Sequence, residues 1–184
     1  MSLLPVTLYG DKILRHKAKK VEKLDIELIT LIKNMFDTMY NADGIGLAAN
    51  QVGSPKSVFV VDISPVKEYS KFEPMVFINP LIIESSEETI GYEEGCLSIP
   101  DVRAEVIRPK RVKVKFLSSD LKEQILEADD LLARVIQHEY DHLQGIYFTD
   151  KISEEEQKKL KKDLNKIKNR KTKVDYPVSE KGIY

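Results

Sequence analysis

The chain has 184 residues, of which 42% are hydrophobic, so it can bury the core of one domain without disulfide support. Its formal net charge of −1 provides no strong bulk attraction to nucleic acid or lipid, so no DNA and no membrane partner is expected. The single cysteine excludes an internal disulfide, and the N-terminus lacks the pattern of a signal peptide, so a cytoplasmic protein is expected.

The first predicted element is an amphipathic helix over residues 25–40, with Asp25 placed to cap its start. Its apolar residues recur at helical spacing: Ile26, Ile29, Ile32, Phe36 and Met39. Strands are predicted next, because short runs rich in valine and isoleucine follow one another. They cover residues 57–63, 75–83, 102–107, 111–116 and 123–127, and the last two form a hairpin through residues 118–120.

Two helices are predicted after the strands. The first covers residues 130–143 and has a broad apolar surface, which indicates a central buried helix. The second, residues 153–169, is highly charged with a thin apolar seam. Together the elements predict a single α+β domain over residues 1–170, with antiparallel β-sheets packed around the central helix, an N-terminal helix and a C-terminal helix. Residues 171–184 are a C-terminal extension, expected to be extended or loose.

The central helix contains the pattern His-Glu-x-x-His. His138 and His142 are four residues apart, so they share one helix face and can bind one metal ion. Glu139 points about 100° away from His138 and can exchange a proton with a water at the metal. The alternative is a charged turn of an ordinary helix, but two of the chain's three histidines lie here. The third, His16, is expected on the surface.

The third metal ligand decides between classes of hydrolase. One class of zinc endopeptidase needs a histidine where this chain has Phe148, although Gly145 fits its pattern. Another class uses a later glutamate, but residues 154–156 lie in a charged run that is typical of a solvated helix start. Upstream, Cys96 would complete a Cys-His-His set with one open position. The alternative for a lone cysteine is a small buried apolar residue.

A glycine-rich segment, residues 44–53, follows the first helix. It lacks the lysine of a phosphate-binding loop, so it predicts a tight turn followed by small residues that pack against another element. Small residues also allow the backbone to approach a ligand, and Gln51 offers an amide donor toward the metal.

Three segments together, residues 44–51, 94–98 and 137–142, resemble the signature segments of peptide deformylase, in the family's order. The resemblance covers residues 5–170 and is closest to the bacterial type-1 form. It implies hydrolysis of the formyl group from N-formylmethionine on new polypeptides, with release of formate. It implies Cys96, His138 and His142 as metal ligands, Glu139 as general acid/base, and Gln51 and the Leu97 N–H as oxyanion donors.

The resemblance also implies a substrate site beside the metal. An apolar pocket for the methionine side chain is lined by Ile45, Tyr92, Leu131, Val135 and His138, although ordinary core packing is the alternative for Leu131 and Val135. The backbone at Gly46 and Gly95 would pair with the extended substrate. Arg103 matches a family arginine near the downstream peptide.

Coordination chemistry allows zinc, iron, cobalt or nickel at a Cys-His-His site, and the resemblance implies one divalent ion, natively Fe(II). Residues 151–173 contain ten Lys/Arg and four Asp/Glu. A solvated helix explains that excess, and docking to the ribosome is the alternative that the resemblance offers. Two other functions stay open: a zinc endopeptidase, and a non-enzymatic protein with a closed structural metal site, which would need a fourth ligand.

Overall fold

The structure is a computed structural model that describes residues 2–183, so Met1 and Tyr184 lie outside it. Three α-helices are present: α1 (Ile26–Asn41), α2 (Asp130–Leu143) and α3 (Glu154–Lys168). The predicted helices are confirmed to within a residue or two at each end. Among the described residues, no helix is long and apolar enough to cross a membrane.

Local contacts explain where the helices begin and end. The Asp25 carboxylate accepts a hydrogen bond from the Leu28 N–H at 2.9 Å, which caps α1 as predicted. Ser153 caps α3 in a capping box with Glu156. Gly145 follows α2 with φ of 76°, and a Cβ there would lie 2.6 Å from the Arg15 carbonyl oxygen. Glycine is therefore required at this turn for both its conformation and its size.

Five strands form one antiparallel sheet in the order β1-β2-β3-β6-β7. Their bounds are β1 Gly46–Ala48, β2 Val58–Val61, β3 Met75–Ser85, β6 Arg111–Leu117 and β7 Glu123–Asp129. The predicted β6–β7 hairpin is confirmed, with Val114 opposite Leu126. Strand β6 alternates apolar and basic residues because one face packs on the core. Val112, Val114 and Phe116 are buried, while the basic residues between them are not.

The remaining two strands, β4 (Thr89–Cys96) and β5 (Ile99–Pro109), form a separate hairpin. The sequence predicted part of β5 and missed β4 entirely. That strand contains two glycines and two glutamates, residue types that are depleted in strands, so its composition hides it. The strand nevertheless matters for the site, because it ends at Cys96 and the turn to β5 contains Leu97.

Helix α2 lies between the two sheets, which confirms the predicted α+β arrangement around a central helix. Val135 and Ile136 belong to one buried cluster with Phe59 and Phe77 of the five-stranded sheet. On the hairpin side, the Arg134 guanidinium donates hydrogen bonds to the carbonyl oxygens of Val106 and Ile90. Helix α3 covers β5 through Leu164 and Ile167, which share a second buried cluster with Ile99 and Val102.

The chain after α3 turns back along the molecule. We call residues 171–179 the returning segment. Val178 forms a parallel bridge with Val6, and Ser179 is 3% exposed beside the buried carboxylate of Asp11. Of the two expected states, extended or loose, the end of this segment takes the extended one, because long-range hydrogen bonds to the N-terminal segment hold it there.

Candidate active site

Three side chains converge where α2 meets the β4–β5 turn. His138 Nε2 and His142 Nε2 are 3.2 Å apart, and Cys96 Sγ is 3.2 Å from His142 Nε2. All three donor atoms lie within 4.8 Å of one another. A tetrahedral zinc-like ion with bonds of about 2.0–2.3 Å places its nitrogen and sulfur ligands roughly 3.3–3.6 Å apart. The observed separations fit one ion shared by this ligand set.

The hydrogen bond on the other side of one ring sets its tautomer. His138 Nδ1 lies 2.9 Å from Glu94 Oε2, so the ring donates its N–H to that carboxylate. The Nε2 lone pair is then free to point at the other two ligands. A carboxylate commonly orients a metal-binding histidine in this way.

Glu139 is 4% exposed and lies beside the ligand set on α2. Burial raises the pKa of its carboxyl to about 7, so the group can both accept and donate a proton near neutral pH. Its Oε1 would lie only 2.6 Å from a Cβ on Gly46, and Val135 would lie 2.8 Å from the same atom. Glycine at position 46 therefore leaves the space that the carboxylate occupies.

Cys96, His138 and Glu139 open onto one cleft of about 650 Å³. Every site residue predicted from the sequence lines it except His142, which is buried behind it at 1% exposed. The lining residues among the predictions are Ile45, Gly46, Gln51, Tyr92, Gly95, Cys96, Leu97, Arg103, Leu131, Val135, His138 and Glu139. Residues 173–176 of the returning segment line it as well, and no pattern in the sequence had indicated them.

The alternative ligands considered from the sequence lie elsewhere. Phe148 is buried, with its ring centroid 6.1 Å from that of His138. Glu154 and Glu155 are exposed in the first turn of α3, and His16 is exposed as expected. Within residues 2–183, the group of histidine, cysteine and acidic side chains able to hold a metal is Cys96, His138 and His142.

Comparison with known proteins decides the family. Residues 3–158 match the sequence model of the family described as polypeptide deformylase. The chain belongs to the peptide deformylase family. It is therefore a hydrolase that removes the N-formyl group from newly made polypeptides.

Relatives and solved structures agree over most of the chain. Peptide deformylase from Prosthecochloris aestuarii is 45% identical, covering 97% of this chain and 95% of that protein. The enzyme from Brucella suis is 49% identical, covering 89% and 90%. The crystal structure from Legionella pneumophila has a TM-score of 0.83 at 38% identity, covering 92% of this chain and 98% of that one. A deformylase from Synechococcus elongatus, solved in complex with actinonin, has a TM-score of 0.78 at 42% identity, covering 91% and 87%.

This deformylase has a buried ionic network behind the ligand set that sequence reasoning missed. Glu94 accepts hydrogen bonds from Arg108 at 2.6 and 2.9 Å and from Arg134 at 2.6 Å, while Arg108 also reaches Asp141. Burial opposes ionisation of Glu94, but the hydrogen bonds from Arg108 and His138 outweigh it and hold the pKa of that carboxyl well below its usual range. Two carboxylates thus balance two guanidinium groups.

A signal for this network exists in the sequence. Val102, Val106 and Arg108 share one inward face of β5, so an arginine occupies a core position of a strand. Arg134 similarly lies on the apolar face of α2 next to Val135. A charge in such a position needs a buried partner, which predicts an ion pair without identifying its members.

Two neighbouring amides in the deformylase fix the glycine-rich segment. Gln51 is 2% exposed, and its Nε2 lies 3.4 Å from Cys96 Sγ and 3.2 Å from Ser98 Oγ, while its Oε1 accepts from the Ala48 N–H. Asn50, to which the sequence assigned no role, donates from Nδ2 to the His142 carbonyl oxygen at 2.5 Å. Both amides thus link the glycine-rich segment to residues of the candidate metal site, Cys96 and His142.

Proposed function

We propose that Cys96, His138 and His142 hold one divalent metal ion at which the formyl group is hydrolysed. The observation that carries the proposal is the convergence of one sulfur and two nitrogen atoms beside a buried carboxylate in a single cleft. When bound, the ion supplies Lewis acidity, which lowers the pKa of a water and polarises the formyl carbonyl.

Glu139 is the proposed general acid/base. Its carboxylate accepts a proton from the attacking water and returns it to the departing amine, which balances the hydrolysis of a formamide to formate and a free N-terminus. The raised pKa of about 7 suits both transfers near neutral pH. Gln51 Nε2 and the backbone N–H of Leu97 donate to the carbonyl oxygen as its negative charge grows, and one such donor is worth about 2.7–4 kcal/mol.

The substrate would lie extended in the cleft, its backbone paired with that of Gly46 and Gly95. The methionine side chain would enter the apolar part, lined by Ile45, Tyr92, Leu131, Val135 and His138. Arg103 passes over Gly95, with its Nη1 3.2 Å from a Cβ placed there, which supports the proposal that its charge meets the downstream peptide.

The test is formate release from formyl-Met-Ala by protein loaded anaerobically with each candidate metal. We propose Fe(II) as the native ion, with Zn, Ni or Co as possible substitutes, because a thiolate and two imidazoles suit all of them. The assignment of iron as the native ion is supported by two results together. Protein purified anaerobically must contain iron, and the activity of that protein must decay in air while a nickel-loaded sample stays active. Iron content near zero with full activity on zinc would overturn that identity.

The endopeptidase alternative makes a different prediction for Cys96→Ala. If the cysteine is a ligand, the variant loses bound metal and formate release together. An endopeptidase that uses another third ligand would keep its metal and would cleave internal peptide bonds without releasing formate. Metal analysis beside a formate assay and an assay on a blocked peptide separates the two functions.

We propose formylated nascent chains as substrates and a cytoplasmic site of action, where those chains are made. Residues 1–170 are the proposed catalytic domain. The exposed lysines of α3 are a proposed contact with ribosomal RNA: Lys158, Lys159, Lys161 and Lys162. A variant with these four changed to glutamate should lose co-sedimentation with ribosomes, and wild-type binding should fall steeply with salt. Lys33→Glu, an exposed change on α1, is the control, and unchanged binding of the fourfold variant would refute the contact.

A further inference from the structure

The returning segment borders the substrate cleft although it lies outside the proposed catalytic domain. Its residues 173–176 line the cleft together with Leu97 and Arg103. Burial alternates along it: Thr172, Val174, Tyr176 and Val178 are half-buried, and the side chains between them are exposed. This period of two is the burial pattern of an extended segment with one face on the body of the protein, although the chain bends at Asp175 and Tyr176.

Both ends of this stretch are tied to the N-terminal segment. The Arg170 guanidinium donates to both carboxylate oxygens of Asp11 at 2.8 Å, and Ser179 Oγ donates to the same carboxylate at 2.9 Å. The Val6 N–H donates to the Pro177 carbonyl at 2.9 Å, and the Ser179 N–H to the Val6 carbonyl at 2.9 Å. These bonds fix both ends of the returning segment, which lines the cleft between them.

Between these two ends, one hydrogen bond joins the returning segment to Leu97, the residue with the proposed oxyanion donor. The Tyr176 hydroxyl donates to the Leu97 carbonyl oxygen at 2.7 Å. On its other side, the Leu97 side chain packs against Gly44, where a Cβ would lie 3.0 Å from Leu97 Cδ1. Leu97 is thus held between the glycine-rich segment, through its side chain, and the returning segment, through its carbonyl.

We propose that residues 173–176 are part of the substrate site, where Tyr176 positions Leu97 and the exposed charges of Lys173 and Asp175 meet the substrate residues after formylmethionine. The proposal rests on the proposed oxyanion role of Leu97. Besides providing a partner for the Leu97 carbonyl, the segment places two side-chain charges at the cleft, which a role in stability alone does not require. Tyr176 is a positioning residue, because it acts through Leu97 and does not touch the reacting atoms.

Tyr176→Phe tests the positioning role, since it removes the hydroxyl and keeps the ring. We expect kcat on formyl-Met-Ala to fall about tenfold with KM and metal content unchanged, less than the ~10²–10³-fold of losing an oxyanion donor. Tyr40→Phe is the matched control, because Tyr40 also donates a 2.7 Å hydrogen bond, to Asp62, and does not line the cleft. It should lower Tm without changing kcat.

The possible outcomes distinguish failure of the proposed function from failure of the positioning role of Tyr176. Wild-type protein that releases no formate refutes the proposed function itself. An active wild type and a Tyr176→Phe variant with wild-type kcat refute only the positioning role. A fall in kcat that matches a loss of bound metal would also refute it, because the damage would then be to the ligand set.

The charges are tested by opposite single changes. Lys173→Glu should shift kcat/KM toward formyl-Met-Ala-Lys over formyl-Met-Ala-Glu, and Asp175→Lys should shift it the other way. We expect shifts of about 1.5- to 5-fold, the range of exposed charge pairs, that shrink at high salt. Lys33→Glu repeats the charge change of Lys173→Glu far from the cleft. Preferences that stay fixed, or that follow Lys33→Glu, would overturn the contact with downstream residues.

Discussion

Glu94 Oε2 lies 2.9 Å from Nδ1 of His138, so a proposed metal ligand and a buried ion cluster share one carboxylate. The same carboxylate accepts hydrogen bonds from Arg108 and Arg134. Orientation of the proposed ligand and charge balance in the core therefore depend on a single side chain that is 5% exposed.

Glu94→Gln should weaken both functions of this side chain. Loss of the carboxylate that orients a ligand typically lowers metal affinity about 10–100-fold, and leaving buried arginines without their partner costs about 3–5 kcal/mol. Competition with a chelator measures the first effect, and denaturant unfolding the second. Glu105→Gln, an exposed change on the neighbouring strand, should leave both unaltered. A Glu94→Gln variant that binds metal as tightly as wild type would show that the orienting bond is dispensable.

Glu139→Gln should separate chemistry from metal binding. The amide fits the same space but cannot accept a proton, so kcat/KM should fall by at least the ~10²–10⁴-fold of general acid/base catalysis. Metal content should stay at the wild-type level, and stability to denaturant should not fall, since burial already disfavours the charged carboxylate. Formate release at wild-type rates from a fully metal-loaded variant would remove Glu139 from the mechanism.

Gly46→Ala should damage activity by displacing the carboxylate of Glu139, the proposed general acid/base. The new methyl group would meet Glu139 Oε1 at 2.6 Å and Val135 at 2.8 Å, so the carboxylate has to move. A displacement of about 1 Å can cost ~10²-fold in rate, and overpacking costs about 1–3 kcal/mol of stability. Gly95→Ala is the comparison, because its Cβ would meet only the movable end of Arg103 at 3.2 Å. Its kcat should fall much less, and equal losses would contradict this explanation.

The Asp62 carboxyl, which lies outside the proposed metal site, should make the stability of the fold depend on pH. Burial opposes its ionisation, but hydrogen bonds from Ser64 and Tyr40 outweigh that effect and lower its pKa. An Asp carboxyl has a pKa of about 3.9 in the unfolded chain, so its contribution is fully present above that pH and is lost as the pH falls through the lower folded value. Asp62→Asn should therefore be less stable than wild type near neutral pH, with a difference that shrinks in acid. Unfolding curves across pH measure it, and a constant difference would refute the assignment.

Much of the site could be predicted because its chemistry is local. His138 and His142 are one helical turn apart, and a site with two histidines needs a third ligand, which Cys96 can provide. The parts that could not be predicted depend on partners distant in the chain. Arg108 and Arg134 are tolerated in the core only because Glu94 and Asp141 lie beside them. The returning segment has the sequence of a polar tail. Its fixed position depends on Asp11, which is distant in the chain.

The anchoring of the returning segment also sets an order of events during synthesis. Asp11 leaves the ribosome early, whereas its partners Arg170 and Ser179 lie 159 and 168 residues later in the chain. Contacts of such sequence separation form late, since they close the longest loops. A growing copy thus has all three proposed metal ligands before the last wall of its cleft exists. The proposed substrate cleft of such a copy is complete only after Arg170 and Ser179 have been made and have reached Asp11.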